Sequence, residues 1–346
     1  MKRMRISISN LGAACAAILS GVLAGCAGGT SQPPALAGSS NALGQSVAQQ
    51  IRGGASQPVA NRGFMNAVDA KTSLVYLSDF ATSLVSVFTK AGLQVGQIAN
   101  GLAAPEGMFV DAQSNLWVAN TGVSSDVVVF SRGGLSPTKT LHDPVGAPID
   151  VTVCKDGTAY VADLYDNSNN NAASVQVFAP GSTKPTGNLN PPADFRNTSL
   201  TCDAKGNVFV ALLASDSIGS GRIVEFPSGK QSGVKDIGVT LQDPSGMKPD
   251  NAGNLLVNDL VSQTIAEYTE AGKATGISIQ DGTDIFNIAL SRDGETLLGA
   301  AASAQEGKSW SFPAGKPETT YTCCSRISQP PFDPEGIAID PSQANV

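Results

Sequence analysis

The sequence predicts an all-β fold in which one unit is repeated six times. A first marker, a large apolar or aromatic residue, recurs in steps of 41, 43, 49, 47 and 42 residues at Tyr76, Trp117, Tyr160, Phe209, Leu256 and Leu298. A second marker, an aromatic residue further along each copy, keeps nearly the same step at Phe88, Phe130, Phe178, Phe226, Tyr268 and Phe312. A turn such as FTKAG, FSRGG or FPAG follows each aromatic. Two markers in one register indicate a true repeat.

One copy, from Pro105 to Phe130, displays the predicted strands of the unit. Residues 108–111 (MFVD) and 116–119 (LWVA) are apolar runs separated by a short polar turn, and residues 126–130 (DVVVF) form a third run after a Gly-Ser loop. Other copies add a fourth run, for example residues 94–99 or 236–241. Each unit is therefore predicted to contain four antiparallel strands.

Six such units predict a six-bladed β-propeller of four-stranded antiparallel blades. A single four-stranded sheet has two apolar faces that it cannot bury alone, and radial packing buries both. Residues 334–340 (PEGIAID) repeat residues 105–111 (PEGMFVD) near the end of the chain. We therefore expect the C-terminal strand to close the ring as the inner strand of the first blade. Residues 64–69 are the alternative for that position, and the sequence leaves this choice open.

The repeats resemble those of NHL-type propellers. In that family a blade reads P-x-G, apolar strand, Asp, turn, Gly-Asn, apolar strand, then Asp or Asn. Here the pattern appears as PEGMFVDAQSNLWVAN, as TCDAKGNVFVA and, in weaker form, as PSGMKPDNAGNLLVND. The resemblance spans about residues 64–340. It implies the fold and leaves the function open, because such propellers include enzymes, binding modules and scaffolds.

The N-terminal residues resemble a bacterial lipoprotein signal. Lys2, Arg3 and Arg5 precede an apolar run at residues 11–23, and LAGC at residues 23–26 looks like a lipobox. The run is too short to span a membrane as a helix. The resemblance implies a signal peptide at residues 1–25, acylation of Cys26 and attachment to the cell membrane, with Ala27 favouring the outer membrane if two are present.

Composition and charge limit the domains and the partners. Residues 26–60, rich in Gly, Ser, Gln, Pro and Ala, predict a flexible tether, and residues 61–346 predict one propeller domain.

Loss of the leader removes three basic residues and no acidic one, which leaves 19 basic against 29 acidic residues and a net charge of −10. This argues against nucleic acid as a partner, because no basic patch exists. We expect a monomer.

Four cysteines remain after the leader and the lipidated residue are set aside. An exported protein permits disulfides. Cys154 and Cys202 are predicted at the ends of inner strands in adjacent blades, where the sheets converge, so they are the candidate disulfide. Cys323 and Cys324 are predicted in a distant outer strand, and the sequence leaves open whether they form a vicinal disulfide or remain thiols.

The residues with the strongest claim to function are predicted where inner strands begin, at one mouth of the central channel. By register these are Glu106, Asp150, Ser245, Asn287 and Glu335. Oxygen ligands of this kind suit a hard cation such as Ca²⁺. The set loosely resembles the metal site of gluconolactonase and senescence-marker-protein propellers, although the Asn-Gly and Asp-Gly pairs of that family are missing. The resemblance implies one Ca²⁺ or other divalent metal and a lactonase-type hydrolase.

Two other polar groups are interpreted as structural. Asp79, Asn120, Asp163 and Asp259 follow the second strand of their units, where such residues usually close a loop by accepting backbone N–H bonds. The fold also resembles streptogramin lyases, but the single histidine, His142, is predicted on an outer strand far from the channel. The sequence thus favours a binding or scaffolding module at the cell envelope, for a protein or saccharide ligand, over the metal-dependent hydrolase.

Overall fold

The computed structural model describes residues 63–122, 125–144, 146–166, 173–215, 220–322 and 333–341. These residues form 25 strands in six antiparallel sheets, with one short 3₁₀ turn at Pro227–Gly229. In the part of the chain so described, no helix is long and apolar enough to cross a membrane. The predicted leader, Cys26, the tether, Cys323 and Cys324 lie outside the described residues.

The strands are numbered in chain order. They are β1 Phe64–Met65, β2 Leu74–Asp79, β3 Leu84–Thr89, β4 Gln94–Ile98, β5 Pro105–Val110, β6 Leu116–Asn120, β7 Asp126–Phe130, β8 Lys139–His142, β9 Gly146–Val153, β10 Ala159–Asp166, β11 Ser174–Phe178, β12 Gly187–Leu189, β13 Phe195–Cys202, β14 Val208–Ala214, β15 Gly221–Phe226, β16 Lys235–Asp236, β17 Pro244–Pro249, β18 Leu255–Asp259, β19 Thr264–Tyr268, β20 Ala274–Gln280, β21 Ile285–Leu290, β22 Thr296–Ala301, β23 Glu306–Ser311, β24 Lys316–Tyr321 and β25 Ile337–Asp340.

The six sheets are the predicted six blades. Blade 1 runs from the channel outward as β25, β2, β3, β4 and β1, and blades 2 to 6 follow as β5 to β8, β9 to β12, β13 to β16, β17 to β20 and β21 to β24. Inner strands of neighbouring blades contact each other around the whole ring, including β25 with β5 and with β21. The prediction of a six-bladed β-propeller is confirmed.

The ring is closed by the C-terminal strand. β25 pairs with β2, with Leu74 opposite Asp340 and Leu77 opposite Ile337. β1, the alternative that the sequence left open, pairs instead with the outer strand β4. Phe64 is 42% exposed whereas Ile337 is fully buried, so the C-terminal segment, and not β1, takes the inner position. The closure is held from blade 2 by Arg132, whose Nε donates to Asp340 Oδ2 at 2.5 Å.

The two repeated markers explain why the unit folds as a blade. Each junction between neighbouring blades contains one apolar cluster, and the six second-strand markers fall one in each cluster. Tyr76 packs toward blade 2, whereas Phe88 of the same blade packs toward blade 6. Side chains alternate across a strand, so Phe88, which pairs with Val75, lies on the face opposite to that of Tyr76. The periodicity therefore records the contacts between blades.

A recurring aspartate forms the turn between the first and second strands. Asp111 Oδ1 accepts hydrogen bonds from the backbone N–H groups of Gln113 and Asn115, at 2.9 and 2.8 Å. Asp203 and Asp250 accept from the equivalent positions of their own blades. The Asp and Asn of the NHL-like pattern are thus explained by local backbone pairing.

A disulfide joins blades 3 and 4. Cys154 directly follows β9 and Cys202 ends β13, and their Cα atoms lie 5.6 Å apart. This is well below the usual spacing of packed sheets because the blades converge on the channel. The bond therefore crosslinks two neighbouring inner strands.

A candidate ligand site at the channel mouth

An open cavity of about 530 Å³ lies at the end of the channel where the inner strands begin. Four of the five predicted mouth residues line it: Glu106, Ser245, Asn287 and Glu335. They come from blades 2, 5, 6 and 1, so the ring brings together residues that are far apart in the chain. Its volume is within the range typical of small-molecule sites.

Asp150 is placed elsewhere, although the sequence predicts it at the mouth. It is fully buried, and Oδ2 accepts from Ser199 Oγ at 2.6 Å and from the N–H of Leu200 at 3.2 Å. Its Oδ1 faces Gly107, where an added Cβ would lie only 2.5 Å away. The strand pairing explains this: Pro148 pairs with Asp163 as Pro105 pairs with Asn120, so Ile149 takes the position of Glu106 and Asp150 that of Gly107. Its hydrogen bonds to Ser199 and Leu200 connect blades 3 and 4 below the mouth, and this group of residues is called the joint.

The two glutamates are half-buried and close enough to influence each other. Burial, with smaller contributions from the charges of Asp333 and Asp150, raises the pKa of Glu106 to about 8. Burial, followed by the charges of Glu106, Asp333 and Asp284, raises the pKa of Glu335 well above its usual value. With a pKa of about 8, Glu106 is largely protonated at neutral pH.

Asp333 and Asp243 also line the cavity, and the sequence analysis missed both. Burial raises the pKa of Asp333, as do the charges of Asp79 and Asp284. A signal was present in the repeat: each aspartate precedes the proline of a P-x-G element, in DPSG at residues 243–246 and in DPEG at residues 333–336. The acidic character of the mouth is therefore greater than the predicted residues alone imply.

Asn287 lies in this cavity without a complete set of partners. The residue is only 4% exposed, and among the described residues no donor reaches its Oδ1 atom. It follows a bulge in β21, since the pairing with β22 shifts between Ile285 and Asn287. A buried amide oxygen with no hydrogen bond costs free energy, so a donor that reached Asn287 Oδ1 would be stabilising.

Short polar side chains connect the blades just beneath the mouth. Ser78 Oγ donates to the carbonyl of Glu106 at 2.9 Å, Thr121 Oγ1 to that of Pro148 at 2.5 Å, and Asn258 Nδ2 to that of Ile285 at 2.5 Å. Each bond runs from a second strand, or the residue that follows it, to the inner strand of the next blade. The cavity thus has a rigid frame.

Two of the residues interpreted as loop closures, Asp79 and Asp259, have that role. Asp79 Oδ1 accepts from the N–H groups of Ala81 and Thr82, and Asp259 Oδ1 accepts from that of Val261. His142 is exposed on the outer strand of blade 2, with Nδ1 2.7 Å from Asp126 Oδ1. The interpretation holds for Asp79, Asp259 and His142, whereas Asn120 Oδ1 accepts from the N–H of Ala103, in the loop before β5, and Asp163 Oδ2 accepts from Ser174 Oγ.

The mouth residues do not form a ready-made metal site. Within the described ranges, no three His, Cys, Asp or Glu side chains are grouped so as to hold a metal ion. Asp150, one of the expected ligands, already accepts hydrogen bonds with both of its oxygens. The residues present therefore do not fit the metal centre that the lactonase resemblance implies.

Further along the channel the lining becomes apolar and narrow. A cavity of about 20 Å³, room for about one water molecule, is lined by residues such as Met108, Phe109 and Leu290. Lys248 also lines it, with Nζ 3.9 Å from Asp150 Oδ2.

Comparison with known proteins supports the assignment of the fold and gives no information about the candidate site. No protein-family model and no curated protein matches the chain. Among solved structures, a chain of the nidogen/laminin complex matches with a TM-score of 0.58 and 13% identity, over 77% of this chain and 98% of that one. A streptogramin B lyase matches with a TM-score of 0.54 and 12% identity, over 82% and 88%. Hydrazine synthase from Kuenenia stuttgartiensis matches with 0.53 and 14%, over 69% and 80%.

The chain is a six-bladed β-propeller. Within that class its repeats are of the NHL-like kind, similar in fold to the nidogen/laminin chain and to the lyase. At 12 to 14% identity these likenesses concern the fold alone.

Proposed function

We propose that this protein is an exported propeller, anchored to the cell envelope by a lipid on Cys26, that binds a soluble ligand at the channel mouth. The basic start, the short apolar run and the LAGC sequence support the anchor. The tether of residues 26–60 would hold the propeller away from the membrane surface.

The observation that carries the binding role is the mouth cavity itself. It combines about 530 Å³ of open volume with a buried acceptor, Asn287 Oδ1, that has no partner in the described structure. Apolar side chains, including Phe80, Ile149 and Phe286, line the same cavity. Apolar walls with a few fixed polar groups are characteristic of ligand sites.

A fragment screen tests the binding role. Neutral, anionic and cationic fragments are screened against the full chain by ligand-detected NMR, and each hit is repeated with Leu164→Trp, which fills the cavity, and with Leu93→Trp, a control at an exposed turn of blade 1. We expect hits that Leu164→Trp abolishes and Leu93→Trp retains. A screen without such hits would refute a ligand site at the mouth.

The anchor is tested separately by substituting the acylated residue. The wild-type chain, expressed in a bacterium that processes lipoproteins, should partition into detergent and carry labelled palmitate, whereas Cys26→Ser should do neither. Equal partitioning of the two proteins would contradict lipid attachment at Cys26.

A further inference from the structure

The mouth cavity has a surplus of negative and hydrogen-bond-accepting groups. Four carboxyl groups line it, from Glu106, Asp243, Asp333 and Glu335. Arg196 also lines the cavity, and its positive charge partly offsets the effect of burial on the pKa of Asp243. The other three carboxyl groups have a different environment: each charged neighbour that shifts their pKa values is another carboxyl group.

This arrangement favours a cation because the carboxyl groups oppose each other's ionisation. A positive charge placed between them would offset that repulsion and the cost of burial. Asn287 lines the same cavity, and its Oδ1, buried and without a hydrogen-bond partner in the described residues, requires an N–H or O–H donor. A metal ion would satisfy the charge, but three acidic ligands are not grouped around a point in the described residues.

The size and the apolar lining point to a carbon skeleton as well as a charge. A volume of about 530 Å³ greatly exceeds that of one ion, and Phe80, Leu260 and Phe286 present apolar surface beside the carboxyl groups. Aromatic faces attract organic ammonium groups in addition to burying carbon. The net charge of −10 on the mature chain would also raise the local concentration of a cation.

We infer that the mouth cavity binds a small organic cation with several N–H donors, of the amino-sugar or polyamine class. Its ammonium groups are placed against Glu106 and Glu335, and a further donor against Asn287 Oδ1. Its carbon atoms pack on Phe80 and Phe286. The inference rests on the proposed ligand site and specifies what that site selects.

Calorimetric titration of the full chain tests the inference with matched probes. Glucosamine and spermidine supply the cationic class, and N-acetylglucosamine keeps the sugar ring of glucosamine while removing its charge. Each is titrated into the wild type, into Glu335→Gln and into Glu318→Gln, a control with the same charge change on an exposed outer strand. We expect the cationic probes to bind, N-acetylglucosamine to fail, and Glu335→Gln alone to weaken binding by roughly tenfold or more.

The outcomes separate the inference from the proposed function. Equal binding of glucosamine and N-acetylglucosamine, or binding indifferent to Glu335→Gln, would overturn the cation and leave a ligand site. Saturable Ca²⁺ binding that Glu335→Gln abolishes, without binding of the organic probes, would overturn the organic cation in favour of a metal. Failure of these probes together with an empty fragment screen would refute the site itself.

Discussion

The lower half of the channel, around Asp150, and the upper half, at the mouth, surround their buried carboxyl groups with different partners. Below the mouth, Asp150 is fully buried, accepts three hydrogen bonds and lies near the Lys248 ammonium. At the mouth, Glu106 and Glu335 are half-buried beside further carboxyl groups, and burial raises their pKa values. The hydrogen bonds of the lower half therefore stabilise the ring. In the upper half, burial and neighbouring carboxyl groups disfavour the charged forms of Glu106 and Glu335, and a ligand would offset this cost.

The largest expected effect comes from breaking the lower half. Asp150→Ala removes the acceptor of Ser199 Oγ and of the Leu200 N–H, and it leaves Lys248 buried without a counter-charge. We expect the free energy of unfolding to fall by about 3–5 kcal/mol. Urea denaturation followed by circular dichroism measures it, with Glu318→Ala as the exposed control. A loss below about 1 kcal/mol would contradict the role of Asp150 as a joint.

The disulfide between blades 3 and 4 is the next test of the lower half. The paired cysteines are 48 residues apart in sequence, so the bond restricts a long loop of the unfolded chain. Cys154→Ser should lower the free energy of unfolding by roughly 2–4 kcal/mol. Denaturation with and without reductant checks it: the reductant should destabilise the wild type and leave the variant almost unaffected.

The upper half should make the stability depend on pH. The pKa of Glu106 rises from 4.5 in the unfolded chain to about 8 in the fold, so the folded state holds its proton more tightly. This contribution is complete below pH 4.5 and is lost as the pH rises through about 8. Allowing for partial exposure, the loss is roughly 2–3 kcal/mol. Denaturation midpoints from about pH 4.5 to about pH 9 should fall in the wild type and change less in Glu106→Gln, because the amide does not titrate. If the midpoints of the wild type and of Glu106→Gln fall equally with rising pH, the raised pKa of Glu106 is contradicted.

The smallest effect is expected for Lys248, despite its burial. Its ammonium has no hydrogen-bond partner in the described residues and lies 3.9 Å from Asp150, which has three other partners. Lys248→Met nearly keeps the length of the side chain and removes a poorly satisfied charge, so the free energy of unfolding should change by about 1 kcal/mol or less. Thermal unfolding of Lys248→Met and Asp150→Ala, measured in parallel, compares the two losses of stability. If the two variants lose the same free energy of unfolding, the ion pair, rather than the hydrogen bonds of Asp150, stabilises the joint.

The candidate site shows how far the strand register predicts where a side chain lies. Glu106, Asn287 and Glu335 lie at the mouth, as register predicts, because repeated strands begin at one end of the channel. Asp150 lies one position further along its repeat, at the position of Gly107, so its side chain alternates away from the mouth, where Ser199 of the next blade supplies a partner. The position of a residue follows from the repeat, whereas its environment follows from the neighbouring blade.

The sequence by itself determined the class of fold, the number of blades and the location of the mouth. Two markers in one register suffice for this, since each blade must bury both faces against its neighbours. The tertiary structure decided which terminal segment closes the ring, which carboxyl groups gather at the mouth and which one is held by hydrogen bonds beneath it. Those outcomes depend on contacts between residues up to 258 positions apart, such as Ser78 and Gly336, and strand periodicity carries no information about them.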